Sequence, residues 1–181
     1  MVYIILGTGF EEVEAIAPCD ILRRGGIETH FAGIGGRLIT GGNGITVQAD
    51  CTVEEMNLAE TDMIVLPGGM GGVHSILGSE TAMNAISQLY QAGKFIAAIC
   101  AAPTVLADMG LLEGKNAVCY PGMEDLLVAG KAVPHMDCSV VRDGRFITGR
   151  APGSAFDFAL TLTEILAGQE TADRLRGDMH Y

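Results

Sequence analysis

Apolar residues along this chain alternate between two rhythms. Short unbroken runs, Val2-Tyr3-Ile4-Ile5-Leu6, Met63-Ile64-Val65-Leu66 and Phe95-Ile96-Ala97-Ala98-Ile99, read as strands buried on both faces, and Ile27 to Ala32 reads as a further strand. Between them the apolar positions recur at helical spacing. Glu12 to Arg24 carries Val13, Ile16 and Ile21-Leu22 and is stopped by Gly25-Gly26. Glu80 to Gln91 ends at Gly93, and Thr104 to Met109 ends at Gly110. Ser154 to Ala167 predicts an amphipathic helix with Phe156, Leu160, Ile165 and Leu166 on its apolar side.

Lesser features fill the gaps. Clustered glycines and alternating apolar residues from Gly33 to Thr46 predict a small hairpin near the sheet edge. Val53 to Leu58 is a connector with a turn or two of helix, and Asn116 to Cys119 is a short strand. Glu124 to Ala129 reads as helical. Cys138 to Val141 and Arg145 to Thr148 read as strands joined at Asp143-Gly144, and Gln169 to Arg176 as a last helical piece. No internal repeat, low-complexity tract or linker divides the chain, so residues 1–181 read as one domain.

Strands alternating with helices predict an α/β fold, a mostly parallel sheet covered on both faces. Right-handed crossovers bring ligands to the carboxyl ends of the strands. Three loops converge on that edge: Gly7 to Glu14, Pro67 to Val73, and Cys100 to Pro103.

Composition narrows the function. The 22 acidic and 11 basic residues leave a formal charge of −11, which repels phosphate backbones and argues against a nucleic-acid partner. No apolar stretch is long enough to span a bilayer, and Met1 to Leu6 runs straight into Gly7-Thr8-Gly9 and two glutamates rather than a leader sequence. The five cysteines are odd in number and scattered, which fits free thiols in a reducing cytoplasm. No histidine is spaced with a second ligand, so no metal site is expected, and neither Gly7-Thr8-Gly9 nor Gly68-Gly69-Met70-Gly71-Gly72 has the residues of a nucleotide fingerprint.

Among the cysteines Cys100 stands apart. It lies where a buried strand breaks into Ala101-Ala102-Pro103, and proline pre-sets a first helical turn. This is the geometry of a nucleophile elbow, with the sulfur beside a helix N-terminus that favours thiolate. Of the three nearby glutamates, Glu11 and Glu12 fit simple dipole complementarity at a helix start, whereas Glu14 sits deeper, beside Ala15 and Ile16. A partly desolvated Glu14 would donate to a thiolate when protonated or take a proton from a substrate carbon when ionised. Gly69 serves equally as a tight turn or as an oxyanion donor through its bare N–H. His74 falls on a loop at the same edge and reads as a solvated residue. Cys119 precedes Tyr120-Pro121 at a strand end; it and the remaining cysteines read as small hydrophobes.

These residues resemble the ThiJ/PfpI superfamily, in the branch of the parkinsonism-associated deglycase. The matching stretches are Gly9-Phe10-Glu11-Glu12-Val13-Glu14, Leu66-Pro67-Gly68-Gly69, Ala97 to Pro103, and Gly149-Arg150-Ala151-Pro152-Gly153. The resemblance implies a flavodoxin-like three-layer sandwich, a homodimer, a reactive Cys100 with Glu14 as its carboxyl partner, and backbone donors at Gly69 and Ala101. It places Arg150 in a loop near the site and the dimer contact. Relatives with a Cys-His pair carry histidine where this chain has Ala101, and the deglycase branch often carries histidine where this chain has Tyr120. Tyrosine is a poor base at neutral pH, so proton transfer falls to Glu14. Glutamine hydrolysis needs a downstream histidine-acid pair, and no His-x-Glu segment exists here.

Two functions follow. One is a cofactor-independent, cysteine-dependent glyoxalase or deglycase acting on small reactive dicarbonyls such as methylglyoxal or their protein adducts. The other is an oxidative-stress sensor or chaperone whose Cys100 is oxidised to sulfinic acid without turnover.

Overall fold

The continuous apolar runs become neighbours in one sheet. A computed structural model describes residues 1–181. In chain order its elements are β1 (Val2–Leu6), α1 (Glu12–Arg24), β2 (Thr29–Gly33), β3 (Leu38–Thr40), β4 (Thr46–Gln48), β5 (Cys51–Thr52), β6 (Met63–Leu66), α2 (Met70–Leu77) and α3 (Glu80–Gln91). They continue with β7 (Phe95–Ile99), α4 (Pro103–Asp108), β8 (Asn116–Ala117), α5 (Glu124–Ala129), β9 (Val133–Pro134), β10 (Val140–Asp143), β11 (Phe146–Gly149), α6 (Ala155–Ala167) and α7 (Gln169–Asp178).

The main sheet runs β10-β11-β7-β6-β1-β2-β5. Every pairing is parallel except β10 with β11. Setting aside the edge strands β5 and β10, the five long strands lie in the order 2-1-3-4-5, the doubly wound order of flavodoxin-like folds. Every residue of β1 and β6 is buried, as expected of parallel strands covered on both faces. Helix α1 packs on α6, and α6 on α7, while α3 covers β6 and β7 and α4 packs on α5. The strand order reverses between β1 and β6, so the loops leaving these two strands splay apart and open a crevice at the carboxyl edge.

Several boundaries differ from the apolar pattern. The hairpin is formed by β3 and β4, outside the main sheet. The short strand β8 pairs with β9, which no local pattern announces. The segment after Gly69 is not an open loop but helix α2, and His74 is an exposed residue on it. Its glycines are set by contact: a Cβ on Gly71 would meet Gly9 Cα at 2.9 Å, and one on Gly72 would meet Phe10 Cα at 2.8 Å. On α6 the core side carries Phe158, Ala159 and Leu162, whereas Phe156, spaced as a core residue, is 38% exposed and stacks on Tyr181. No helix is long and apolar enough to cross a membrane.

Candidate active site

Cys100 is the one residue of the 95–103 stretch with a positive φ. Its φ is 65°, a left-handed conformation rarely adopted outside glycine. Two hydrogen bonds pin it there: its N–H donates to the Gly149 carbonyl at 2.9 Å, and its carbonyl accepts from the Tyr120 N–H at 2.7 Å. The elbow is thus clamped between β11 and the loop after β8. The side chain is largely buried but lines a cavity of about 260 Å³ with Gly69, Met70, Ala101, Tyr120 and Met123.

Glu14 is held against it from α1. The Gly68 N–H donates to Glu14 Oε2 at 2.8 Å, and the Glu11 N–H donates back to the Gly68 carbonyl at 3.0 Å. Strand β6's exit loop and the start of α1 are therefore tied together in both directions. A Cβ on Gly68 would sit 2.7 Å from both Cys100 Cβ and Glu14 Oε2, so the glycine keeps open the gap across which thiol and carboxyl meet. Glu14 is fully buried, and its Oε1 has no hydrogen-bond partner.

That burial decides the protonation. Desolvation pushes Glu14 up to about 7, against the hydrogen bonds of the Cys100 thiol and the Gly68 N–H, which favour the carboxylate. Burial first, then the charge and hydrogen bond of Glu14, push the Cys100 thiol up to about 12. The Ala101 and Gly69 N–H groups act the other way, as donors to the sulfur. The expectation of a resting thiolate at the elbow is therefore corrected. The helix that was to supply positive charge, α4, is only six residues long, and burial, then the Glu14 carboxyl, work against it. Burial thus favours the protonated, uncharged form of both members of the pair.

The other candidates separate. Tyr120 is 46% exposed and lines the cavity, and Gly69 (φ 79°) and Ala101 present their amides to the sulfur. Arg150 is not brought in: its backbone N–H donates to Ser139, its Nη1 donates to the Met136 carbonyl at 3.4 Å, and it does not line the cavity. Cys119 is buried outside the cavity, and burial, then the Glu124 charge, push its thiol up to about 11.

Two roles escaped local reading. Glu12 is a buried anchor, accepting from Asn43 N at 2.7 Å, Asn43 Nδ2 at 2.8 Å and Ile45 N at 3.3 Å. Burial works to raise its pKa, but these donors together hold it below the usual carboxylate range. Its partners lie about thirty residues downstream, beyond any local signal. Pro152 and Met123 complete the cavity wall, and of these only Pro152 lay in a stretch with a recognisable pattern.

A thiol on a strained strand-to-helix turn, paired with a buried carboxyl at the switch point of a doubly wound sheet, defines a class of cysteine-elbow α/β protein. The chain belongs to the DJ-1/PfpI family, whose model matches residues 1–165. It is 40% identical over 168 residues to the dj-1beta protein of Drosophila melanogaster, covering 92% of this chain and 89% of the relative. The crystal structure of Drosophila DJ-1beta superposes with a TM-score of 0.92 at 36% identity, over 98% of this chain and 96% of that one. A protein of Pyrococcus abyssi named a deglycase is 34% identical over 165 residues, 91% of this chain and 98% of the relative. An oxidized DJ-1 of Toxoplasma gondii gives a TM-score of 0.92 at 33% identity, over 99% of this chain and 97% of that one.

Proposed function

We propose that this protein is a cofactor-independent glyoxalase or deglycase that acts on small dicarbonyls such as methylglyoxal through Cys100 and Glu14. The observation that carries this reading is the pairing itself: a nucleophile and a proton acceptor face each other across the gap left by Gly68, in a cavity sized for a small molecule. Sulfur attacks the aldehyde carbon while its proton passes to Glu14, and Glu14 then gives that proton to the aldehyde oxygen, steadied by the Gly69 and Ala101 amides, so that a hemithioacetal forms and the carboxylate is restored. Glu14 next removes the hydrogen from that carbon and returns a proton to the neighbouring one through an enediol, leaving a lactoyl thioester on Cys100. Water cleaves the thioester, releases lactate and restores the thiol. The name of the Pyrococcus relative supports the deglycase form of this activity. The test is conversion of methylglyoxal to lactate without added glutathione; absence of lactate removes the proposal.

A second reading is favoured by the same amides and by the oxidized state of the Toxoplasma relative. Here peroxide converts the Cys100 thiol to sulfenic acid with loss of water, and a second peroxide yields the sulfinic acid. Intact mass and peptide mapping after mild peroxide should show a gain of two oxygens at Cys100 ahead of the other four thiols. Equal oxidation among all five counts against it.

The homodimer is proposed on one surface feature. Val13, Ile16, Ile45 and Phe156 are exposed and together line an apolar groove of about 550 Å³ along α1 and α6. A second copy seated there would account for the outward Phe156. Sedimentation at micromolar concentration should give twice the mass of 18.9 kDa; a monomer that Phe156→Glu leaves unchanged would remove the idea.

A further inference from the structure

The cavity in front of Cys100 is lined by only one charged side chain, that of Glu11. No lysine, arginine or histidine lines it. Its charge is close enough to Glu14 to raise that carboxyl's pKa. The partner that Glu11 has, Asn43 Nδ2 at 3.4 Å, is uncharged, and the guanidinium of Arg150 is turned to the Met136 carbonyl. Glu11 is the N-cap residue of α1, yet its side chain makes no capping bond, so the carboxylate is not spent on holding the helix. An anion entering this cavity meets Glu11 at the wall and Glu14 behind the sulfur, with no cation of this chain in the lining. A neutral molecule meets neither penalty.

We infer that Glu11 is a specificity-determining residue, which admits uncharged carbonyl compounds to Cys100 and turns away those bearing a carboxylate beside the reacting carbon, such as glyoxylate. The inference rests on the proposal that carbonyl substrates reach Cys100 through this cavity, but it can be tested without turnover.

Iodoacetamide and iodoacetate are nearly the same size and differ in charge. With either, sulfur displaces iodide, a thioether forms, and the thiol proton leaves to Glu14 or solvent. The rate of Cys100 modification by each is read by peptide mass and divided by the rate of the same reagent with free cysteine. In low salt the wild type should prefer the amide by about tenfold after this correction, and Glu11→Gln should reduce that preference about fivefold. Glu11→Lys should reverse it, and half-molar salt should weaken it in the wild type. A preference that is the same in wild type and both variants overturns the inference, as does a Cys100 that reacts with neither reagent. Methylglyoxal conversion in the same preparations keeps the two questions apart. Lactate formation with an unchanged alkylation preference sinks the role of Glu11 alone. The expected preference without lactate sinks the enzymatic reading alone.

Discussion

Serine at position 100 should leave methylglyoxal conversion at the rate of buffer, and Glu14→Gln should lower it by about a hundredfold to a thousandfold, within the usual range for loss of a positioned acid-base group. The serine alcohol holds its proton far more tightly than a thiol, and a carboxyl that titrates at about 7 is too weak a base to remove it. The glutamine still accepts the Gly68 N–H, so its folded structure, followed by circular dichroism, should match the wild type, but it has no site for the thiol proton. The wild-type rate should climb with pH through about 7, as Glu14 becomes ionised, and then level off. A rate flat from pH 5.5 to 8, or a glutamine variant with wild-type turnover, would contradict this assignment. Stability carries the same signature. The folded Glu14 binds its proton up to about 7, whereas the unfolded side chain loses it near 4.5. Between those values the folded state holds more protons, so stability should fall as pH rises from about 4.5 to 7 and stay lower above. Glu14→Gln should remove that slope.

Gly69→Ala should be strongly destabilising, because strain and backbone overlap add at one position. Gly69 has a φ of 79°, and a Cβ there would lie 2.5 Å from the Gly9 carbonyl oxygen and 2.6 Å from the Glu11 nitrogen, both backbone atoms. The left-handed conformation costs alanine roughly 1–2 kcal/mol, and overpacking adds roughly 1–3 kcal/mol. A loss of about 3 kcal/mol corresponds to about 6–12 °C in Tm for a chain of this size. Gly26→Ala isolates the first contribution, because Gly26 has a φ of 74° and nothing within 4 Å of its absent Cβ. Calorimetry should show a drop in Tm for Gly69→Ala at least twice that for Gly26→Ala. Equal drops would mean that the backbone contacts at Gly69 relax at no cost.

The elbow was legible because its signals are local: a short apolar run, one cysteine, and Pro103 at the next helix start. The mostly parallel sheet and the site at its carboxyl edge followed from the alternation of strands and helices and from crossover handedness, which do not depend on side-chain detail. Helix α2 was hidden because Met70-Gly71-Gly72 has the composition of a turn, while its glycines answer to Gly9 and Phe10 about sixty residues earlier. Phe156 was misplaced because helical spacing reports a face, not what covers it. What opposes a thiolate was hidden for a related reason: the helix start beside Cys100 is visible in sequence, but the burial of the thiol and of Glu14 is not.

Where α2 meets the loop after β1, main chain lies directly on main chain, with Gly9 against Gly71 and Phe10 against Gly72. Ser75 Oγ on α2 adds a bond to the Thr8 carbonyl at 3.2 Å, so the acid-bearing segment and the amide-bearing segment should shift as one body. In a library of random variants, tolerance should therefore be lowest along this stripe of glycines, several of which never touch a reactant, and higher on the far rim around Tyr120, where neighbours can yield.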